Sequence, residues 1–198
     1  MSSLKMYNFN PQPKGLTLPE GFYVTKFSGE EDIAEWVSIC SDGLINPATG
    51  FECFRKEITD ADGPDAYRDT YFIEKEEKKI ATFTVVPDMW STGMGYIHMV
   101  ACKSEYRGLG IGKFIADYSL KLLKDIGKEQ IFLLTSDSRL SALKVYISAG
   151  FLPVNFPDDE GRDMVERWYN IIKALRINEI TMLDEKGNFD RLIKEEDQ

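Results

Sequence analysis

The feature that most constrains this chain is the segment at residues 96–118, YIHMVACKSEYRGLGIGKFIADY, where glycines separate an apolar stretch from a helical pattern. A strand followed by such a turn and a helix directs the unpaired N–H groups of the first helical turn towards one place. The helix dipole adds partial positive charge there. Gly108, Gly110 and Gly112 would let an anion approach the backbone, and glycine tolerates positive φ. The segment therefore predicts a phosphate-binding turn.

Two common phosphate motifs do not match this turn. A dinucleotide fingerprint starting at Gly108 needs a glycine at position 113, where the chain has Lys113. A nucleotide-binding P-loop ending at Gly112 and Lys113 needs serine or threonine next, where the chain has Phe114. A phosphate-loop nucleotide enzyme is therefore a disfavoured alternative.

The turn fits the pattern Arg-x-x-Gly-x-Gly through Arg107, Gly110 and Gly112. A second motif, SALKVYISAGFLPV at residues 141–154, places Tyr146 four residues before Gly150 and a phenylalanine. Together the two motifs resemble those of the GNAT superfamily, the Gcn5-related N-acetyltransferases. The resemblance extends over about residues 20–155. The stretch TSDSRLSALKVYISAGFLP is similar to the mycothiol-synthase-like branch.

The order of apolar patterns predicts an α/β (α+β) fold: one domain with a mixed, mostly antiparallel central sheet and helices on both faces. We interpret residues 1–19 as an extended N-terminal arm, 20–157 as the acyl-CoA N-acyltransferase domain, and 158–198 as a C-terminal helix and tail that packs on or extends it. Strand alternation predicts one shared face for the residues Tyr96, His98, Val100 and Cys102.

The resemblance also implies a cofactor site. The backbone of Val100 and Cys102 would pair with the pantetheine arm of acetyl-CoA or another acyl-CoA. Either Arg107 or Lys113 would add charge-assisted contacts to the diphosphate. The N–H groups of the site would come from Gly108, Leu109, Gly110, Ile111, Gly112 and Lys113. Arg139 replaces an asparagine that contacts the cofactor in many members, and it could still reach a carbonyl or a phosphate.

By the same resemblance, Tyr146 is the general acid that protonates the departing thiolate, and His98 is a candidate base for the amine. Each could instead simply pack in the core. Three carboxylates without positional support are fallback bases: Asp88, Asp137 and Glu52. We expect Cys102 to be a packed apolar residue rather than a nucleophile, and we predict no metal site.

The implied function is transfer of an acetyl group from the thioester to a primary amine, by direct attack in a ternary complex. The alternative is a catalytically silent acyl-CoA sensor of the same fold. The acceptor, a small-molecule or peptide amine, would meet residues 36–69 and 87–95. Candidates there are Trp90 and the acidic loop of Asp60, Asp62, Asp65 and Asp69.

The net charge of −9 argues against a nucleic-acid or anionic-membrane partner, which requires a basic surface. No stretch approaches the roughly 18 apolar residues of a membrane span, and the N-terminus lacks a signal-peptide core. The three cysteines suggest neither a disulfide framework nor a metal site. We expect a reduced, cytoplasmic protein, and we leave open a homodimer formed through the last forty or so residues.

Overall fold

The central feature of the fold is a seven-stranded sheet in the order β2-β3-β4-β5-β6-β1-β7, with a separate β8-β9 hairpin. The structure is a computed structural model that describes residues 3–156, 161 and 163–195. The strands are β1 Leu4–Phe9, β2 Phe22–Lys26, β3 Thr70–Lys75, β4 Lys78–Val86, β5 Gly95–Cys102, β6 Gln130–Thr135, β7 Leu152–Pro153, β8 Glu179–Leu183 and β9 Phe189–Lys194. The helices are α1 Glu31–Cys40, α2 Gly50–Phe54, α3 Ala66–Asp69, α4 Ile111–Asp125, α5 Leu140–Ser148 and α6 Met164–Leu175.

Strands β2 to β5 form an antiparallel meander, as the alternating apolar pattern predicts. The β5–β6 pair is parallel, because α4 connects the two strands as a crossover. β1 then lies antiparallel to both β6 and β7. The predicted fold class, a single domain with a mixed and mostly antiparallel sheet flanked by helices, is confirmed.

The N-terminal segment differs from its sequence interpretation. Leu4–Phe9 lies inside the sheet between β6 and β7 and is not part of an extended arm outside the domain. Leu4 and Met6 are fully buried in the main core. The prolines at 11, 13 and 19 misled the interpretation, because only the residues after the strand lack regular structure.

The segment that follows β1 crosses the outer surface of α4. The backbone N–H groups of Lys14 and Leu16 both donate to the buried carboxylate of Asp117, at 2.5 and 2.8 Å. The Lys124 ammonium donates to the Pro11 carbonyl at 3.0 Å. This segment is therefore attached to the helix that starts at the glycine turn.

Helices cover both faces of the sheet. The main core contains apolar residues of α4, α5 and α6, including the fully buried Trp168, together with Leu4 and Met6. A second cluster lies under α1 and α2 and centres on Trp36 and Phe54, whose rings meet edge to face at 5.1 Å. The sheet therefore separates two apolar layers, and β5 and β6 contribute to both sides.

A buried polar network fixes the start of α1. The carboxylate of Asp32 accepts the backbone N–H and the hydroxyl of Ser28, at 2.7 and 2.9 Å, and it pairs with the Lys79 ammonium from β4. Burial raises the pKa of Asp32, but the hydrogen bonds from Lys79 and Ser28 outweigh burial and leave the pKa below its usual range. The helix that borders the candidate site is thus tied to the sheet.

The C-terminal part of the chain forms α6 and the β8-β9 hairpin, which agrees with the amphipathic pattern of that segment. Buried Arg167 of α6 pairs with Asp137, in the loop after β6, at 2.6 Å. β8 meets the sheet through a parallel bridge between Val154 and Leu183. The predicted boundary at residues 157 and 158 lies outside the described residues. Within the described ranges, no helix is long and apolar enough to cross a bilayer.

Candidate active site

The site begins where β5 and β6 separate. Their parallel pairing covers only residues 95–97 of β5 against 131–133 of β6, although β5 continues to Cys102 and β6 to Thr135. A bulge in β5 against β4 follows immediately, and Met99 adopts a left-handed φ of 48°. Beyond Ile97 the edge of β5 is thus not paired with β6, which leaves room for an extended ligand between the two strands.

The bulge changes which side chains share a face. His98 stacks on the ring of Tyr96, whereas Val100 and Cys102 pack against the main core beside α4. Regular alternation predicts all four on one face, and this prediction is wrong because the bulge inserts a residue between His98 and Val100. The side chains of His98 and Val100 therefore lie on opposite faces of the sheet.

The glycine turn has the geometry of an anion site. Gly108 and Gly110 have φ values of 82° and 85°, and a Cβ at either position would meet no atom within 4 Å. Gly110 is the N-cap of the 15-residue helix α4, and the first backbone bond into the helix is from Phe114 N–H to Gly110 C=O at 3.0 Å. The preceding N–H groups, including that of Lys113, have no backbone acceptor within the described chain. These donors and the dipole of α4 fit a diphosphate.

Two further glycine-turn residues differ in their surroundings. A Cβ on Gly112 would make an ordinary van der Waals contact with Val145 of α5 at 3.9 Å, so packing does not require glycine at this position. Leu109 is half exposed at the tip of the turn.

Arg107 holds the glycine turn in place through hydrogen bonds. Its guanidinium donates to the Cys102 carbonyl at 3.0 Å, and to the carbonyl and carboxylate oxygens of Asp42 at 2.5 and 3.2 Å. The Asp42 carboxylate also accepts the Ser104 N–H at 2.6 Å, and this bond is the main reason that the pKa of Asp42 is lowered. Arg107 therefore ties the turn to the loop after α1, and its contact with a phosphate stays a prediction.

Cys102 has no features of a nucleophile. Burial raises the pKa of its thiol to about 11, with only partial opposition from the charge of Arg107. At neutral pH it is a thiol that packs beside the main core, which agrees with the role expected from the sequence.

Arg139 reaches across the strand gap. It is the N-cap of α5, and its Nη2 donates to the Val100 carbonyl at 3.1 Å. That carbonyl is the one that the resemblance assigns to the pantetheine arm. Arg139 thus meets a main-chain carbonyl of the protein, and its contact with the cofactor stays a prediction.

Tyr146 lies on α5 and is almost wholly buried in the main core. Burial raises the pKa of its phenol, and the nearby charge of Arg139 opposes that effect. Its ring meets Phe151 edge to face at 6.0 Å. A phenol that keeps its proton at neutral pH and lies beside a cation can donate that proton to an anion formed in the gap.

His98 pairs with a carboxylate that the sequence analysis missed. Its Nε2 lies 3.3 Å from Oε2 of Glu57, and the imidazole lowers the pKa of Glu57, first by hydrogen bonding and then by charge. The contact is close enough for His98 to lower the pKa of Glu57, but its angle is too poor for Nε2 to count as hydrogen-bonded among the described residues. We therefore interpret the contact as a close electrostatic pair.

Glu57 owes its position to an irregular helical turn. The residues Arg55–Thr59 form a π-helix directly after α2, and such turns are frequent at functional sites. Two of the three fallback bases have other partners: Asp88 accepts the Gly93 N–H at 2.8 Å, and Asp137 binds Arg167. The third, Glu52, is exposed on α2. Glu57 is thus the carboxylate that contacts His98.

An aromatic cluster continues from His98 to the surface. The ring of Tyr96 stacks on His98 at 4.8 Å and on Phe132 at 4.4 Å. The ring centroid of Trp90 lies 5.9 Å from those of Tyr96 and Phe132, and the Trp90 side chain is half exposed. We call Trp90, Tyr96 and Phe132 the aromatic wall.

The acidic loop predicted as an acceptor contact is largely engaged in local structure. Asp65 caps α3, Asp69 pairs with Arg68 at 2.7 Å, and Asp60 lies 3.2 Å from Arg55. The loop nevertheless lies beside the segment that carries Trp90, because a Cβ on Gly63 would come within 3.0 Å of the Asp88 carbonyl. No cluster of three potential metal ligands occurs among the described residues.

The strand gap, the glycine turn and the two candidates Tyr146 and His98 make up the candidate site. The sequence profile of the acetyltransferase (GNAT) family matches residues 30–151, which is more than half of the chain. The chain therefore belongs to the GNAT family. Its assignment to the mycothiol-synthase-like branch stays a prediction. A search of curated proteins finds no match.

Solved structures of the same fold support the architecture. A GCN5-related N-acetyltransferase from Sphaerobacter thermophilus has a TM-score of 0.59 and 17% identity, covering 77% of this chain and 48% of its own. A GNAT-family acetyltransferase from Colwellia psychrerythraea has a TM-score of 0.59 and 16% identity, covering 77% and 53%. A GCN5-related N-acetyltransferase from Kribbella flavida has a TM-score of 0.52 and 16% identity, covering 77% and 55%. The chain thus spans about half the length of these proteins.

Proposed function

We propose that this protein transfers an acetyl or similarly short acyl group from acyl-CoA to a primary amine by direct attack. The observation that carries the proposal is the end of β5–β6 pairing at Ile97, beside a glycine turn with unpaired N–H groups and beside Tyr146 and His98. When bound, acyl-CoA supplies a thioester; the amine nitrogen forms the amide bond to its carbonyl carbon as the C–S bond breaks.

The chain's own residues divide the remaining work. The N–H groups of residues 110–113 and the dipole of α4 hold the diphosphate. Main-chain groups beyond Ile97 orient the pantetheine arm in the strand gap, and Arg139 would exchange its Val100 contact for one with the ligand. A thioester in this gap would be within reach of both His98 and Tyr146.

Proton transfer then requires two groups with opposite tasks. His98 takes the proton that the amine loses on attack, directly or through water, and Glu57 stabilises the resulting imidazolium. Tyr146 gives its proton to the departing sulfur, since its raised pKa keeps the phenol protonated until an anion forms beside it. The net result is one amide, one thiol and no change of overall protonation at the enzyme after re-equilibration.

The test measures thiol release and amide formation together. The protein is incubated with acetyl-CoA and a set of primary amines, and N-acetylated product is identified by mass spectrometry. We expect Tyr146→Phe to lower kcat roughly 100-fold or more, because one general acid is lost. Tyr169→Phe is the matched control, since Tyr169 is about equally buried but lies on α6, where its hydroxyl donates to the Glu195 carbonyl at 3.2 Å.

Two results would contradict the proposal. Equal kcat for the Tyr146→Phe and Tyr169→Phe variants would remove the acid role of Tyr146. Tight binding of acetyl-CoA without turnover of any amine would instead favour the acyl-CoA sensor as the function of this chain.

A further inference from the structure

Trp90 combines exposure with a backbone conformation that is unfavourable for it. Both Trp90 and Ser91 have left-handed φ values, 55° and 54°, a region that residues with a Cβ seldom adopt. The turn is nevertheless fixed: the Thr92 hydroxyl and N–H both donate to the Met89 carbonyl, at 2.9 and 3.2 Å, and Asp88 accepts the Gly93 N–H. A fixed and unfavourable turn that presents a half-exposed indole indicates a selected position for that ring.

The indole is held against the site and does not extend freely into solvent. Its ring lies 5.9 Å from Tyr96 and from Phe132, and Tyr96 in turn stacks on His98. Tyr96 and Phe132 are both almost fully buried, so Trp90 provides the accessible surface of the aromatic wall. Contacts between neighbouring rings therefore connect the exposed indole of Trp90, through Tyr96, to the buried imidazole of His98, which would accept the amine proton.

The polar groups at the inner end of the wall match a single cationic amine. The half-exposed Glu57 carboxylate lies 3.3 Å from His98, which gives an incoming ammonium one opposite charge beside the base. The neighbouring acids Asp60, Asp65 and Asp69 already have partners in their own loop. Glu57 is thus the carboxylate beside the candidate base, and Trp90 supplies the exposed apolar surface.

We propose that the acceptor is a primary amine on a short arm attached to an aromatic ring, bound with that ring against Trp90. The inference rests on the proposed function for its chemistry. Aromatic rings prefer stacked or edge-to-face contact with other rings, which gives such an acceptor an advantage over an aliphatic amine of similar size. Trp90 is the residue that sets this specificity, and Glu57 orients the ammonium towards His98.

The kinetic arm of the test compares 2-phenylethylamine, n-hexylamine, 1,4-diaminobutane and glucosamine at saturating acetyl-CoA. We expect the highest kcat/KM for 2-phenylethylamine, and a loss of about tenfold for that amine in Trp90→Ala, mainly through KM. The n-hexylamine value should change much less. Tyr23→Ala is the matched control, because Tyr23 is 44% exposed against 50% for Trp90 but lies on the edge strand β2.

A binding arm separates this inference from the proposed function. Trp36 and Trp168 are fully buried, so quenching of fluorescence by added acrylamide reports chiefly on Trp90. With coenzyme A present, 2-phenylethylamine should shield Trp90 from the quencher, and 1,4-diaminobutane should not. Shielding without turnover of any amine would support the aromatic binding site and contradict the proposed transferase activity.

Two outcomes would overturn the inference while leaving the transferase intact. One is turnover in which the diamine or the sugar amine is preferred and 2-phenylethylamine does not shield Trp90. The other is an equal loss of kcat/KM for 2-phenylethylamine in the Trp90→Ala and Tyr23→Ala variants, which would show that the indole has no specific part.

Discussion

The two ends of α4 provide a matched pair of glycines for testing the diphosphate site. Gly110 precedes the helix with φ 85°, and Gly127 follows it with φ 81°. A Cβ at either position would meet no atom within 4 Å. An alanine at either position therefore carries the same left-handed strain, which we expect to cost about 1 kcal/mol of unfolding free energy in each variant.

Only one of the two glycines borders the proposed ligand. A methyl group at Gly110 stands among the free N–H groups and displaces at least one charge-assisted hydrogen bond to phosphate, worth roughly 1.5–3 kcal/mol. Coenzyme A should therefore bind roughly 10- to 150-fold more weakly to Gly110→Ala, while Gly127→Ala binds it like the unmodified protein. Isothermal titration with coenzyme A measures the affinities, and urea unfolding measures the stabilities.

The comparison has a clear failing result. If the two variants lose similar stability and keep the same affinity for coenzyme A, the turn at residues 108–113 does not hold the diphosphate. The assignment of the strand gap to pantetheine would then fail as well, because both parts of the ligand must lie in one connected site.

Three further predictions concern the residues that support the site. Glu57→Gln should lower kcat about tenfold and leave the affinity for coenzyme A unchanged, since Glu57 acts on the acceptor side; an altered coenzyme A affinity would contradict this. Asp32→Asn should destabilise the fold by about 1–3 kcal/mol at pH 7 in urea unfolding. Because the pKa of Asp32 is lowered in the folded state, that penalty should be present above about pH 4 and shrink as pH falls through the lowered value, and a pH-independent penalty would refute the linkage. Met6→Ala should cost about 2–4 kcal/mol in the same assay, with the partly exposed Lys5→Ala as control, because Met6 is fully buried in the main core.

The parts of the fold that sequence reasoning predicts well are those with strong local signals. The apolar stripe and flanking glycines of α4 locate the helix correctly, and Gly127 has the positive φ that is common in the residue after a last helical turn. The meander of β3, β4 and β5 follows from alternation and from the charged turn at residues 76–77. In each case a few adjacent residues carry the whole signal.

The parts that sequence reasoning misses depend on distant contacts. The bulge at Met99 reverses the faces of β5 without any glycine to mark it. Glu57 reaches His98 only because a π-helix turns it towards β5, and the surrounding segment is broken by Gly50 and Gly63. The place of β1 in the sheet is set by partners more than a hundred residues away. Local periodicity contains none of this information.

The position of β1 has a consequence for how the protein is made. The ribosome releases Leu4–Phe9 before any other strand of the sheet, yet both neighbours of that strand come from residues 130–135 and 152–153. Until residues 130–135 and 152–153 have been synthesised, this apolar strand has two unpaired edges. Such edges readily pair with other chains. We therefore expect nascent chains that stall before β7 to be bound by chaperones through Leu4–Phe9, and release to coincide with synthesis of the final sheet partner.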